Sequence, residues 1–330
     1  MKTVAIIGSG SWGVALGIHL AKKGNKVKIW SFSDEEASII NNEKKCKFLP
    51  NVDLPDGIEC NTSYEEVIKG ADFILHVTPS KFTRDIVKNY KQYVDVEKQP
   101  IIVCSKGIEK STCLTLDEVI KQEIPNVRIG ALSGPSHAEE VSIGIPTVLV
   151  IASEEESIKQ MVLEAFLNEK MRIYTSDDIK GVELGGALKN IIAFVAGIAA
   201  GIGCGDNTFA ALITRGLVEI RKLGIALGGK TETFYGLSGL GDLIVTCLSE
   251  HSRNRTAGKL IGQGKTLEET KKEVGMTIES IDNIEVAKTL ANKYNLELPI
   301  LNVVYDVLYN NADPKESISV LMTRESKVED

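Results

Sequence analysis

The sequence has 330 residues, 43% of them hydrophobic and 25% charged, a composition typical of a soluble globular protein with material for two domains. A net charge of −7 argues against a nucleic-acid or anionic-membrane partner, although a locally basic cleft would still accept a small anionic substrate. The six cysteines form no CxxC pair and no zinc spacing, and the first strand begins without a signal-peptide pattern. We therefore expect reduced thiols, a cytoplasmic location and no metal site.

The first thirty residues have the pattern of a dinucleotide-binding unit. An apolar strand over residues 2–7 is followed by a Gly-x-Gly-x-x-Gly motif, a helix to residue 23 and a second strand over 26–30. Gly8 permits the tight turn, Gly10 lets the backbone approach a pyrophosphate, and Gly13 allows the helix to pack closely on the strand. The helix N-terminus offers free N–H groups to the phosphates. The motif in this context predicts binding of NAD or NADP.

The end of the second predicted strand does not identify the cofactor. An acid there favours NAD through the ribose 2′-hydroxyl, and an arginine favours NADP, but the chain has Ser31, Phe32 and Ser33. Asp34 is near, yet Ser33 and Glu36 fit an S-x-x-E capping box, so we interpret Asp34 as a first-turn helix charge. The choice between NADH and NADPH stays open.

Further buried strands of the parallel type are predicted, each with its polar or glycine-rich residues at its carboxyl end. Lys106 follows one of them, and the segment 133–138 follows the next. Carboxyl ends of parallel strands share one edge of an open sheet, which is where ligands bind, so Lys106 is expected beside the cofactor. The alternative for Lys106 is a solvated loop charge. The predicted strands cover residues 71–77, 100–104, 128–132, 146–151 and 171–174.

After residue 178 the pattern becomes helical. We predict an α/β Rossmann-type domain with a mostly parallel sheet over residues 1–178, and an all-helical substrate domain over 179–330. The helix over 181–205 is rich in glycine and alanine, which indicates close packing on neighbouring backbone, and has no charge after Lys189. Its uncharged run is shorter than the ~20 residues of a membrane span. Lys189 and Asn190 are its polar pair; the alternative is a lysine reaching from the helix to solvent.

Lys189 is the candidate acid/base for a hydride-transfer reaction. An ammonium group stabilises and protonates the alkoxide that develops when a ketone is reduced. Burial and neighbouring cations such as Lys106 and Arg253 are expected to lower the pKa of Lys189. Asp242 is expected to anchor Lys189 or a substrate hydroxyl, the alternative being an N-cap or a surface turn.

The segment Ser252-Arg253-Asn254-Arg255 has an anion-binding composition. It combines guanidinium groups, an amide and the N–H groups of a helix start. The alternative is a solvated basic helix turn. No Ser/His/Asp arrangement stands out elsewhere in the sequence.

The four histidines divide into two pairs. His19 lies on a predicted helix and His76 within a predicted strand, so we expect both to be structural. His137 and His251 lie in the polar and anion-binding segments, and the sequence leaves their roles open.

A set of motifs, taken together, resembles the NAD(P)-dependent glycerol-3-phosphate dehydrogenase family of the bacterial biosynthetic type over nearly the whole chain. The most specific are Leu-Gly-Gly-Ala-Leu-Lys-Asn at 184–190 and Ser-Arg-Asn-Arg at 252–255, at their separation. The others are residues 8–13, 47–50, 54–55, 105–107, 133–136 and 239–243.

The resemblance implies reversible reduction of dihydroxyacetone phosphate to sn-glycerol 3-phosphate for phospholipid synthesis, by a homodimer without metal. It implies a helical domain of the 6-phosphogluconate dehydrogenase type, with Lys189 as proton donor and acceptor. Substrate contacts are implied for Lys106, Gly134, Ser136, Lys189, Asn190, Asp242, Thr246, Ser252, Arg253 and Asn254, the last two at the phosphate. Cofactor contacts are implied for Gly8, Gly10, Ser11, Trp12, Gly13, Lys106, Ala138, Arg253, Thr277 and Glu279.

Two departures from the family pattern bear on the cofactor. The family often has Arg or His where this chain has Phe32 and Ser33, and the usual Val-Val-Glu-Gly near residue 277 is here Thr-Ile-Glu-Ser, which keeps Glu279. Two other functions are compatible with the residues. One is a hydroxyacid or ketopantoate-type reductase with a catalytic lysine, and the other is a non-catalytic NAD(P) sensor.

Overall fold

The computed structural model describes residues 1–326 and 328–329. The chain divides into two compact units, Met1–Leu184 and Gly185–Asp330. The first unit contains the sheet, and the second is helical. This is the α/β plus all-α architecture that the sequence predicts.

The first unit is built on one sheet with the strand order β3-β2-β1-β4-β5-β6-β7-β8. Neighbouring strands are parallel except β6 and β7, so the sheet is mostly parallel as predicted. The strands are β1 Thr3–Ile7, β2 Lys26–Trp30, β3 Ile58–Asn61, β4 Phe73–His76, β5 Ile101–Val103, β6 Ile129–Ser133, β7 Thr147–Ala152 and β8 Met171–Ser176.

Helices connect these strands and then make up the second unit. In the first unit they are α1 Ser11–Lys22, α2 Asp34–Ser38, α3 Tyr64–Ile68, α4 Thr83–Tyr90, α5 Leu116–Glu123, α6 Ala138–Ile143 and α7 Glu156–Phe166. The helix α8 Ile179–Gly201 follows. The remaining helices are α9 Asp206–Ala226, α10 Thr231–Tyr235, α11 Asp242–Leu248, α12 Arg253–Gly262, α13 Leu267–Val274, α14 Glu279–Lys293, α15 Pro299–Tyr309 and α16 Pro314–Met322.

The register of the sheet aligns the carboxyl ends of its central strands. Ile7 pairs with Trp30 on one side and with His76 on the other, and His76 pairs with Val103. The segments that leave β1, β2, β4 and β5 therefore start at one edge. β7 and β8 run in the opposite direction from β6, a reversal that a continuous apolar pattern does not encode.

Glycine lets α8 and α12 approach backbone to backbone. A Cβ added at Gly197 or Gly201 would overlap the carbonyl oxygen of Arg255 or Lys259, and one added at Gly258 would overlap that of Phe194. This confirms the close packing expected from the small residues of α8.

The helix α8 is long and apolar enough to cross a membrane, but 89% of its most apolar stretch is buried within the protein, as in the core helix of a soluble protein.

We expect Gly197→Ala to lower the melting temperature by more than about 5 °C, because the added methyl group must push two helix backbones apart. Circular dichroism at 222 nm measures the shift. Gly205→Ala is the matched control, since nothing lies within 4 Å of a Cβ built there. We expect this variant to lose less than about 1 kcal/mol of its free energy of unfolding. Equal shifts for the two variants would contradict the packing argument.

A buried carboxyl group holds the start of α15. Glu219 is 8% exposed, and its two oxygens accept hydrogen bonds from the backbone N–H groups of Ile300 and Leu301, at 2.7 Å and 3.0 Å. Desolvation by burial raises the pKa of Glu219 to about 7, against the opposing effect of these two hydrogen bonds. In the folded protein this group therefore keeps its proton at pH values where the unfolded chain has lost it.

The pH dependence of stability follows from this pKa. Between pH 4.5 and about 7 the folded state binds the extra proton, so the contribution of Glu219 to the free energy of unfolding decreases as pH rises. Over this range we expect a loss on the order of 2–3 kcal/mol. Glu219→Gln should flatten this part of the profile, measured by urea unfolding at a series of pH values. A profile unchanged by the substitution would show that the carboxyl group does not titrate there.

Candidate functional site

The glycine loop after β1 is tightly packed on one side and open on the other. Gly8 has φ +129°, and a Cβ built on it would lie 2.5 Å from the carbonyl oxygen of Val77, at the end of β4. A Cβ on Gly13 would overlap the carbonyl oxygen of Gly8, whereas a Cβ on Gly10 would meet nothing within 4 Å. Two glycines are thus required by packing, and the third leaves open space at the helix start.

This loop fits a dinucleotide. Gly10 is the N-cap residue of α1 and supplies no side-chain cap, so the first N–H groups of the helix, at Ser11 and Trp12, face the open side without a side-chain acceptor from the N-cap. The indole Nε1 of Trp12 is buried without a hydrogen-bond partner among the described residues. An uncapped helix start offers a pyrophosphate the N–H groups that it binds, and the buried indole N–H of Trp12 is a further donor beside it.

A second group of predicted residues lies at the ends of β5 and β6. Lys106 Nζ donates to the carbonyl oxygen of Gly134 at 3.2 Å, and Ser136 Oγ donates to the same oxygen at 3.0 Å. Gly134 has φ +137°, and a Cβ built on it would lie 3.1 Å from the carbonyl oxygen of Val148. Ala138, buried, begins α6. The structure therefore gathers Lys106, Gly134 and Ser136 at one carbonyl oxygen, and the purely solvated alternative for Lys106 is wrong.

Lys189 is buried and paired. Only 6% of the residue is exposed, and its Nζ lies 2.5 Å from Asp242 Oδ1 and 2.6 Å from Thr246 Oγ1. Asp242 is 1% exposed, and Thr246 Oγ1 donates back to its carbonyl oxygen at 2.6 Å on α11. The readings of Lys189 as a solvent-reaching lysine and of Asp242 as a surface turn are both wrong. The prediction that Asp242 anchors Lys189 is confirmed.

Asn190, next to Lys189, connects α8 to the start of α14. It is 2% exposed, and its Nδ2 donates to Glu279 Oε2 at 3.1 Å. Asn283, one turn further along α14, donates from Nδ2 to the carbonyl oxygen of Ala187 at 3.0 Å. Two polar contacts thus fix the position of α8 beside Lys189. Sequence reasoning missed Asn283, whose signal was a polar residue on an otherwise apolar helix face.

The anion-binding segment is held by its own polar contacts. Ser252, 4% exposed, caps α12 by accepting from Arg255 N, and Asn254 Oδ1 accepts from Ser280 N at 3.0 Å. Arg253 is exposed, and its Nη1 donates to the carbonyl oxygen of Thr277 at 3.2 Å. Burial of two of these side chains excludes a fully solvated helix turn. The guanidinium of Arg253 is thus exposed between two buried side chains that are held by hydrogen bonds.

A carboxylate near the glycine loop was misassigned from the sequence. Ser33 Oγ accepts from Glu36 N as expected of a helix cap, but the reciprocal half of the capping box is wrong. Glu36 Oε2 accepts instead from Ser9 Oγ at 2.7 Å and from Ser31 Oγ at 2.9 Å. The N–H of Ser33, which would complete the capping box, donates to Ser31 Oγ instead. The Glu36 carboxylate is therefore turned toward the glycine loop. The spacing was right for a capping box, but Ser9, 27 residues away in sequence, could not be recognised as a competing donor.

His19 and His76 of the first unit are structural, as predicted. His19 Nε2 lies 2.7 Å from the carbonyl oxygen of Phe166. His76 is fully buried among the hydroxyl groups of Thr78, Thr83 and Tyr90, and desolvation lowers its pKa to about 3. No group of three or more metal-ligating side chains lies within the described part of the chain.

Comparisons with known proteins converge on one family. Models described as the N-terminus and the C-terminus of NAD-dependent glycerol-3-phosphate dehydrogenase match residues 3–159 and 178–319. A glycerol-3-phosphate dehydrogenase [NAD(P)+] of Fusobacterium nucleatum is 47% identical over 333 residues, covering 100% of this chain and 99% of the relative. One from Clostridium perfringens is 47% identical and covers 100% of both chains. A glycerol-3-phosphate dehydrogenase structure from Coxiella burnetii matches with a TM-score of 0.94 at 36% identity, covering 98% of this chain and 99% of that one.

The buried pair of Lys189 and Asp242 makes a stability prediction. Asp242→Asn removes the carboxylate that lies 2.5 Å from Nζ of the buried Lys189, and we expect the free energy of unfolding to fall by about 3 kcal/mol. The control is the same change at Asp53, whose pair with Lys45 is solvent-exposed and worth at most about 0.5 kcal/mol. Urea unfolding followed by circular dichroism compares the two. Equal losses would mean that burial does not set the strength of the first pair.

Proposed function

We propose that this chain, which belongs to the NAD-dependent glycerol-3-phosphate dehydrogenase family, catalyses the reversible reduction of dihydroxyacetone phosphate to sn-glycerol 3-phosphate with a nicotinamide dinucleotide. The observation that carries the proposal is the buried Lys189, fixed by Asp242 and Thr246 in a chain with this family's motifs. We propose that residues 1–178 bind the dinucleotide and that residues 179–330 supply the group that transfers the proton.

The proposed chemistry needs a proton at the substrate carbonyl oxygen. A bound reduced nicotinamide supplies the hydride that forms the new C–H bond at the carbonyl carbon. Lys189 donates a proton from Nζ to the oxygen, which completes the hydroxyl group, and it takes that proton back in the reverse direction. Asp242 and Thr246 accept hydrogen bonds from Nζ and so orient it. The carboxylate of Asp242 also compensates the positive charge of Lys189.

The substrate phosphate requires cations and donors at a fixed place. We assign it to Arg253 and Asn254, supported by Ser252 at the start of α12. Arg253 offers a guanidinium on an exposed side chain, and the amide oxygen of Asn254 is engaged by Ser280 N, which orients Nδ2 as a donor. A helix start adds N–H groups and a positive dipole end.

The remaining contacts are proposals of the same kind. We assign Lys106, Gly134, Ser136 and Asn190 to the substrate. The dinucleotide is assigned to Gly8, Gly10, Ser11, Trp12, Gly13, Lys106, Ala138, Arg253, Thr277 and Glu279. A cytoplasmic homodimer that supplies glycerophospholipid synthesis is the expected setting.

The test is oxidation of NADH and NADPH, followed at 340 nm, on addition of dihydroxyacetone phosphate. We expect turnover by the wild-type chain and a loss of roughly 10²–10⁴ in kcat for Lys189→Ala, the usual contribution of a positioned acid. Arg253→Ala should act mainly on KM, because the phosphate is held in both the ground and transition states. Arg255→Ala is the matched control, since that side chain pairs with Glu250.

The outcomes separate the candidate functions. Cofactor binding without turnover, unaffected by Lys189→Ala, would favour a sensor. Full activity of Arg253→Ala on a carboxylate ketone, with none on dihydroxyacetone phosphate, would favour a hydroxyacid or ketopantoate-type reductase. Either result would overturn the proposal.

A further inference from the structure

A carboxylate lies where the second strand and the glycine loop meet. Ser31 directly follows β2, and Ser9 belongs to the turn after β1; both are buried, at 0% and 8% exposure. Their hydroxyl groups donate to the same oxygen, Oε2 of Glu36. The side chain of Glu36 therefore leaves α2 and turns back over the edge of the sheet toward the Gly-x-Gly-x-x-Gly motif.

The second oxygen of this carboxylate has a different environment. Among the described residues no hydrogen bond reaches Oε1 of Glu36, and the side chain is only half-buried. One oxygen is thus fixed by the protein, and the other is presented to an external donor. A carboxylate that is held rigidly and has one available oxygen is suited to accept hydrogen bonds from a sugar hydroxyl.

The residues that directly follow β2 supply no cation for a phosphate group. Residues 31–36 contain no lysine or arginine, and Phe32 is 81% exposed. Asp34 is occupied elsewhere, because its Oδ1 accepts from Thr62 Oγ1 at 2.8 Å. The segment after β2 is therefore acidic, and Glu36 is its carboxylate that contacts the glycine loop.

We propose that Glu36 accepts a hydrogen bond from the 2′-hydroxyl of the adenosine ribose and repels a 2′-phosphate, so that this chain selects NADH over NADPH. In dinucleotide-binding folds an acid in contact with this hydroxyl favours NAD, and it normally stands at the end of the second strand. Here Ser31 occupies that position and donates to Glu36, so the carboxylate of Glu36, five residues later, takes the place of the usual acid. The inference rests on the proposed function only in requiring a dinucleotide at the glycine loop.

The two tryptophans provide a direct binding assay. Trp12 begins α1 in the glycine loop, and Trp30 ends β2, so the quenching of tryptophan fluorescence reports occupancy at this place without turnover. We expect Kd for NADPH to exceed Kd for NADH by roughly tenfold or more in the wild-type chain. In Glu36→Gln the ratio should fall to within about threefold, since the charge that repels the phosphate is gone.

Glu35→Gln is the matched control. It removes the same charge from the adjacent, exposed residue of α2 and should leave the ratio of the two Kd values unchanged. If Glu36→Gln does not fold by circular dichroism, an NADH analogue with 2′-deoxyadenosine tests the wild-type chain. We expect roughly fivefold weaker binding of this analogue, from loss of a hydrogen bond to a charged acceptor.

Equal affinity for NADH and NADPH in the wild-type chain would overturn the assignment of Glu36, and so would a ratio equally changed in the two variants. An undiminished affinity for the deoxy analogue would also overturn it. These results leave the dehydrogenase reaction in place if dihydroxyacetone phosphate still drives oxidation at 340 nm. Absence of quenching by both dinucleotides would instead overturn the proposed function.

Discussion

The burial of one positive charge is the constraint on which the helical unit depends. Taking an ammonium group out of water costs several kcal/mol unless a counter-charge and hydrogen bonds accompany it. Asp242 and Thr246, one turn apart on α11, provide both for Lys189. Gly185 lets α8 come close to the turn before α11, because a Cβ there would lie 2.8 Å from the carbonyl oxygen of Ser238. Gly185 thus contributes to the placement of the buried charge of Lys189.

The segment 252–254 depends on a second kind of contact. The polar side chains at the start of α12 are tied to the backbone just before and within the start of α14, through Asn254 with Ser280 and Arg253 with Thr277. Glu279 lies between these contacts and accepts from Asn190 on α8. Three helices therefore meet through polar groups at one place, and the residues of each orient those of the others. Such mutual support is what a binding site for a small charged ligand needs.

The features that could be predicted from the sequence are those that depend on neighbouring residues or on a periodic apolar pattern. The strands, the glycine loop and the helical second half follow from apolar spacing, and the fold class is confirmed. The pairing of Lys189 with Asp242 was anticipated because both stand in motifs with family-specific spacing. The direction of β7 was not predictable, since a buried strand has the same pattern in either direction. Glu36 was assigned to the wrong partner because Ser9, 27 residues away, competes for its carboxylate.

The contact between α8 and α12 has a consequence for substrate size. Gly197, Gly201, Gly258 and Gly262 place the two helix backbones against each other, with no side chain between them that another rotamer could shorten or extend. Lys189 is on one of these helices, and the segment 252–254 begins the other. The pair of helices therefore fixes the distance between the backbone of Lys189 and that of the segment 252–254. With the roles that we propose for these two elements, a longer or shorter substrate would require a change in backbone geometry, which side-chain variation at the site does not provide.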